Sequence, residues 1–351
     1  MSPTKYPVVL IESVIRRYFI WIIAFSYLVA GVWPGFGLWI RSLKIGSIDV
    51  FQTELSFFLA PIMLGLLLFN AGLGVKTAEL RHLLRKPLVL LGGVFGNVTV
   101  PLAFILVISF TMASWHNSDE VQQVLTGLAF VASMPVAGAS TAWAQNADGD
   151  MAVSLGLVLL TTMLSPILTP LVLHAVGFVT TGDYSEDLHE LASNGVVGFL
   201  GTSVILPSLL GILTGSLLGH RRIVTIMPYV KLINFCILVL LNYSNASLTL
   251  PNVAADPDID FLAVMLVIVI ALCATAFASG YLLARACRVD RKQMASLTFG
   301  LGMNNNGVGL VLASLALSDH PGVMLPIIFY NLIQHFVASL VDFSISRRQP
   351  G

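Results

Sequence analysis

Apolar runs of about 20 residues, the length needed to cross the hydrocarbon core of a bilayer, recur along this chain with short polar interruptions. They predict ten transmembrane helices, at residues 18 to 40, 55 to 73, 87 to 112, 121 to 146, 151 to 178, 195 to 219, 225 to 245, 261 to 285, 293 to 318 and 322 to 345. The connections are short, so a single membrane domain is expected. Two runs are interrupted at mid-depth by small and amide residues, Met134-Pro135-Val136-Ala137-Gly138-Ala139-Ser140-Thr141 and Gly300-Leu301-Gly302-Met303-Asn304-Asn305-Asn306-Gly307. No water reaches hydrocarbon to satisfy free backbone groups, so a broken helix survives there only where it lines a protein-enclosed cavity or site. These breaks are the predicted place of function.

Composition agrees with an all-α integral membrane protein. The chain is 56% hydrophobic and 10% charged, with a mean hydropathy of +0.88, against roughly 25% charged residues in a soluble domain. The first 17 residues carry Lys5, Arg16 and Arg17 ahead of a run too long for a secretory h-region, which reads as an uncleaved first helix. Basic residues accumulate in cytoplasmic loops. With the N-terminus inside, Lys5, Arg16, Arg17, Lys76, Arg81, Arg85, Lys86, Arg221, Arg222, Arg285, Arg288, Arg291, Lys292, Arg347 and Arg348 share one side, while Arg41 and Lys44 take the other and Lys231 snorkels. Both termini are thus expected in the cytoplasm, in a plasma or inner membrane. The acidic segments 183 to 190 and 256 to 260 are then expected outside, as solvated loops. Net charge is +0, and no nucleic-acid partner is expected. Cys236, Cys273 and Cys287 have no CxxC or Cys/His spacing, so neither a disulfide framework nor a zinc site is indicated.

The two broken spans stand fourth in each set of five, and they run in opposite directions. Five helices per half invert the second half, which predicts two inverted five-helix repeats with broken crossing helices 4 and 9. The second piece of each broken helix begins near the midplane, where the partial positive charge of its N-terminus and its N–H groups favour an anionic group. Asn304, Asn305 and Asn306 expose donors and acceptors that lipid cannot satisfy, so they are expected to face the bundle interior and to pair with backbone or hold an ion or ligand. Asn70, Asn97, Gln334 and His335 are further polar candidates, for ligand contact or for helix-to-helix hydrogen bonds. His174 is expected near the outer interface.

Ala139-Ser140, Gly149-Asp150-Met151-Ala152-Val153-Ser154 and Leu164-Ser165-Pro166-Ile167-Leu168-Thr169-Pro170 resemble the fourth and fifth helices of the bile acid:sodium symporter family. Gly302-Met303-Asn304-Asn305-Asn306-Gly307 is similar to that family's ninth-helix motif, and the resemblance extends to Phe69-Asn70-Ala71-Gly72-Leu73 and Lys86-Pro87. It implies a core of helices 3 to 5 and 8 to 10 (about 87 to 178 and 261 to 345), and a panel of helices 1, 2, 6 and 7 (about 18 to 73 and 195 to 245). It also implies alternating access and organic anions driven by sodium. By the same resemblance, one sodium site falls on Ser140, Thr141 and Ser154 and a second on Asn97, Met303 and Asn304. Substrate contacts fall on Ala139, Ser140, Asn305, Asn306, Gln334 and His335. Hydroxyl, amide and carbonyl oxygens are the donors a hard cation takes. Two positions depart from the family pattern: Gly300 stands where a glutamate bridges both sodium sites, and Val158 replaces a threonine one turn after Ser154. Loss of the carboxylate removes the charge that offsets cation desolvation.

Other classes leave weaker marks. There is no HExxH or GxSxG, and Ala147-Asp148-Gly149-Asp150 lacks the first glycine of the GxGD pattern and lies at a helix end, so an enzyme is not expected. The alternatives that stay open are a sodium-independent or proton-coupled permease of the same fold, with His335 as the titratable group, and a non-transporting membrane sensor derived from it. Related ten-helix permeases of the auxin-efflux or arsenite-efflux types also resemble this arrangement.

Overall fold

The computed structural model describes residues 5–50, 53–75 and 87–346. The basic residues Lys76, Arg81, Arg85, Lys86, Arg347 and Arg348 lie outside them. Among the described residues six helices are long and apolar enough to cross a membrane: Pro87–Ser114, Met151–Gly177, Asp183–Leu218, Arg221–Ala246, Ile259–Ala286 and Pro321–Ile345. A bent pair, Tyr18–Val32 and Gly35–Ser42, makes a seventh if read as one span. The protein is a multi-pass membrane protein. The remaining expected spans are the 15-residue helix Leu59–Leu73 and the two interrupted helices, whose halves are each too short to cross alone.

The chain forms two compact units. The first comprises the described residues of Met1–Lys76 and Thr202–Pro257. It contains α1 (Lys5–Val32), α2 (Gly35–Ser42), a β1–β2 hairpin (Lys44–Val50 and Thr53–Phe58), α3 (Leu59–Leu73) and, later in the chain, α10 (Leu206–Leu218), α11 (His220–Ala246) and α12 (Leu250–Ala255). The single straight helix expected at 18 to 40 instead turns through 93° at Trp33-Pro34. Proline has no N–H to continue the ladder, and its ring crowds the preceding turn. The antiparallel hairpin departs from an all-helical expectation. Alternation over Ser47-Ile48-Asp49-Val50 carries the strand period in a window too short to compete with the neighbouring apolar runs.

Without a hydrophobic force between helices in lipid, close packing needs small residues at the contact. On α10, Gly211 and Gly215 are one helical turn apart and meet α3. A Cβ added at Gly211 would lie 2.0 Å from the Phe69 carbonyl oxygen, and one at Gly72 would lie 2.3 Å from that of Ser208. Asn70 donates to Asn234 at 2.7 Å, joining α3 to α11, so this candidate is a helix-to-helix hydrogen bond. The Asn242 and Asn245 glycosylation sequons are buried within α11, where their side-chain oxygens accept from Tyr27 and Arg41.

The second unit comprises the described residues of Thr77–Gly201 and Asp258–Gly351. Its elements are α4 (Pro87–Thr111), α5 (Ser118–Ser133), α6 (Ala139–Asn146), α7 (Met151–Gly177), α8 (Asp183–Glu190), α9 (Val196–Leu200), α13 (Ile259–Ala286), α14 (Arg291–Gly302), α15 (Asn306–Ala316) and α16 (Met324–Ser346). Leu90, Val136, Val153, Leu157, Ala284, Leu297 and Leu301 form a buried cluster at its centre. The acidic segment expected as a loop is instead helix α8. Tyr184 and Leu188, four apart and therefore on one face, are both buried, and the Tyr184 hydroxyl donates to Asp119 at 2.8 Å.

Candidate functional site

Helix α5 ends at Ser133 and resumes as α6 at Ala139; α14 ends at Gly302 and resumes as α15 at Asn306. The two gaps cross and pair. Val136 and Asn304 form an antiparallel bridge in which the Ala137 N–H donates to the Met303 carbonyl and the Asn305 N–H to that of Pro135, both at 2.8 Å. Extended backbone buried in an apolar interior would be prohibitively polar alone, and each break supplies part of what the other needs.

Neighbouring helices supply the rest. Thr161 Oγ1 on α7 accepts from the Val136 N–H at 3.0 Å while donating to the Leu157 carbonyl. Thr169, two turns on, donates to the Ser133 carbonyl at 2.7 Å. From α16, Gln334 Oε1 accepts from the Asn304 N–H at 3.1 Å and its amide nitrogen donates to Asn331, while the Tyr330 hydroxyl donates to the Gly302 carbonyl. From the sequence, Thr161, Tyr330 and Asn331 have no assigned role, and Thr169 has only a place in the fifth-helix motif. The signal is a stripe of three hydroxyl residues spaced four apart, Thr161, Ser165 and Thr169, all buried. Replacing Thr161 by valine keeps the shape and leaves the Val136 N–H buried without a partner, which costs about 1–3 kcal/mol. Thr161→Val is expected to unfold several degrees lower on heating in detergent, with Thr99→Val, whose hydroxyl is on the exposed side of α4, unchanged.

The candidate residues gather at this crossing, but several spend their groups on it. Asn304 donates through Nδ2 to the Val131 carbonyl at 2.8 Å, Asn306 through Nδ2 to the Asn304 carbonyl, and Asn97 on α4 through Nδ2 to the Met134 carbonyl at 3.5 Å. Asn305 caps α15, its Oδ1 accepting from the Val308 N–H. Gln334 has both ends of its amide engaged, and His335, the next residue on α16, is buried. Ser154 donates to Thr141 at 3.3 Å, and Ser140 stands beside them with no solvent exposure. Met303 is equally buried, whereas Gly138 and Ala139 are exposed.

Two expectations change. The helix N-termini were expected to offer open N–H groups, yet Ser140 and Thr141 donate to the Ala137 and Gly138 carbonyls, and Asn306 and Val308 donate to Asn304 and Asn305. Tight first turns close these donors locally. Nor is Gly300 an empty carboxylate position, since a Cβ there would lie 2.7 Å from Leu157 Cδ1. Leu157, fully buried, occupies the space.

What the crossing leaves over is acceptors. The Oδ1 atoms of Asn97, Asn304 and Asn306 and the Oγ of Ser140 are buried without a hydrogen-bond partner. Each such atom costs about 1–3 kcal/mol in an apolar interior. Neutral oxygens that lack donors suit a hard cation, and the chemistry of these residues fits one. Away from the crossing, Asp150 accounts for the Gly149-Asp150 motif structurally. Its carboxylate caps α7 and accepts from Gln293, and its carbonyl accepts from Ser296.

Residues 61–256 match the family described as Sodium Bile acid symporter family. Two Bacillus subtilis (strain 168) proteins are similar over most of their length. One, described as uncharacterized protein YbaS, is 24% identical over 295 residues, 82% of this chain and 88% of that protein. The other, described as uncharacterized sodium-dependent transporter YocS, is 22% identical over 322 residues, 90% of this chain and 93% of that protein. The match spans more than half the chain, and the chain belongs to the sodium bile acid symporter family of transporters.

Proposed function

We propose that the protein is a secondary transporter that carries a small organic anion across the membrane together with sodium, by alternating access. The observation that carries the sodium part is the set of buried, unpartnered oxygens on Asn97, Ser140, Asn304 and Asn306. In this reading ten spans form two inverted halves, with both termini cytoplasmic. Residues 87–178 and 261–345 make the core and residues 18–73 and 195–245 the panel that moves against it. The anion docks at the half-buried Asn305 and the exposed start of α6 at Gly138 and Ala139. Both half-helix dipoles favour negative charge there, and Asn305 Nδ2 supplies a donor that capping does not use. The name of the YocS relative, a sodium-dependent transporter, points the same way.

The test is uptake of labelled carboxylates, from a short keto acid to a steroid acid, into proteoliposomes under a sodium gradient, a proton gradient or none. Uptake that rises only with sodium is the expected result. Equal uptake in all three conditions rejects coupling, proton-driven uptake transfers the role to His335, and retained binding without uptake marks a sensor.

Gly300 gives a second check. Because Leu157 fills the space beside it, Gly300→Glu alone is expected to disturb packing. In the background of Leu157→Ala, the added carboxylate should lower the sodium concentration for half-maximal uptake by about tenfold or more, as a buried counter-charge is worth more than about 1.4 kcal/mol. An unchanged sodium response in the folded double variant would place the cation elsewhere.

A further inference from the structure

His174, in the last turn of α7, and His189, in the last turn of α8, bring their Nδ1 atoms to 2.9 Å from each other. The contact is on the surface of the second unit, beyond Thr169 on α7, and transport as proposed does not use it. Two neutral imidazoles this close share one proton, an N–H of one ring facing the lone pair of the other. The spacing suits a metal as well. Two nitrogens each about 2.0 Å from one ion, at right angles to one another, are about 2.9 Å apart.

The rings are held in place. The His189 ring lies directly on Gly177, where an added Cβ would come within 2.7 Å of Cε1 and 3.0 Å of Nδ1. Phe178 meets both rings edge-on, with centroids 5.4 Å from His174 and 5.0 Å from His189. The imidazole planes are inclined by 72°, with centroids 4.3 Å apart. The Ser185 hydroxyl ties α8 to the end of α7 by donating to the Gly177 carbonyl at 2.7 Å, and the Thr180 hydroxyl, in the turn between the two helices, reaches the same carbonyl at 3.2 Å. His174 is exposed and His189 half-exposed, so an ion and its remaining waters can reach the pair.

We propose that His174 and His189 form a surface site for a divalent transition metal of the Cu2+ and Ni2+ class, whose square-planar or tetragonal geometry accepts imidazole nitrogens at right angles to one another. On binding, the ring that donates in the pair gives its Nδ1 proton to solvent and takes one up from solvent at Nε2, with no net release; both rings are then neutral with the proton on Nε2, and both Nδ1 lone pairs coordinate the ion, with water in the remaining positions. The ion then bridges the end of α7 to α8. Hard cations such as Mg2+ and Ca2+, which take oxygen ligands, do not compete.

The experiment titrates the full-length protein in detergent, its histidine-rich purification tag removed, with Cu2+, and reads calorimetry and the paramagnetic resonance signal of the bound ion. The expected result is one ion per chain with a two-nitrogen imidazole signature, a higher unfolding temperature, and no displacement by Mg2+. His174→Ala and His189→Ala should each weaken binding at least about tenfold, and Gly177→Ala, which keeps both ligands and displaces the His189 ring, should weaken it on a similar scale. Cu2+ affinity and signal unchanged in the folded His174→Ala/His189→Ala double variant would overturn the site. Full affinity in Gly177→Ala would overturn the arrangement on which it rests. Separate reconstitution of the double variant, which leaves Asn97, Ser140 and Asn304 intact, keeps this test independent of the outcome of the uptake assay.

Discussion

Asn304→Leu is expected to raise the sodium concentration needed for half-maximal uptake by about tenfold to a hundredfold. One buried oxygen donor to a charged ligand is worth roughly 1.5–3 kcal/mol, and about 1.4 kcal/mol is a factor of ten. Asn304 sits at the bridge itself, 1% exposed, with its N–H held by Gln334, its Nδ2 held by Val131 and its Oδ1 left over. Leucine keeps the backbone bond to Gln334 and removes the other two groups. The Val131 carbonyl then loses its donor, so this variant is also expected to lose stability. Asn97→Ala separates the two effects. Its only hydrogen bond among those described is a long 3.5 Å contact to Met134, while its Oδ1 is another unpartnered acceptor. It should fold nearly as well as the parent and still bind sodium more weakly. Sodium activation curves that superimpose for the parent, Asn97→Ala and Asn304→Leu, each checked for folding by size-exclusion chromatography, would remove sodium from this crossing.

The largest loss of stability is expected from Gly211→Val. The position has no room on the side of α3: a Cβ alone would lie 2.0 Å from the Phe69 carbonyl oxygen and 3.0 Å from the Leu73 nitrogen. Both contacts are backbone, so no side chain can turn away to relieve them. Overpacking a core by a methylene costs about 1–3 kcal/mol even where side chains can adjust. Separating α3 from α10 would also break the approach at Gly72 and Gly215, where the same backbones meet. Gly211→Val should therefore yield little monodisperse protein. Gly198→Val is the matched control, since a Cβ at Gly198 meets nothing within 4 Å. Equal yield and equal thermal unfolding for the two variants would mean that the α3–α10 contact does not stabilise the first unit.

Much of the architecture was legible because it depends on local properties of the chain. Span length follows from runs of apolar residues, and the ends of the Met151–Gly177 and Ile259–Ala286 helices fall within two residues of those expected. The errors arose where a short signal competed with a long one. The bend at Pro34 hides inside an apolar run, the hairpin has only a few alternating positions, and α8 looks solvated because its charges outnumber the Tyr184 and Leu188 pair that it buries. At the candidate site the residue types were readable, but their division of labour was not. Asn304, Asn306 and Gln334 were all equally plausible ligands from sequence. In the fold, Gln334 braces the Asn304 backbone with one end of its amide and grips Asn331 with the other, whereas Asn304 and Asn306 each keep an oxygen in reserve.

The sequence by itself determined that the chain lives in a membrane, where its two helices break, and that the breaks are rich in amides, because hydrophobic length and the interruption of a helix are set by neighbouring residues. Only the tertiary structure decided that the breaks pair with each other, that Thr161 and Gln334 hold them, and that Leu157 occupies the space beside Gly300. Those outcomes depend on which hydrogen-bonding groups are used up and which space is filled by side chains from α4, α7 and α16. These arrive from far along the chain, and no local pattern records where they meet.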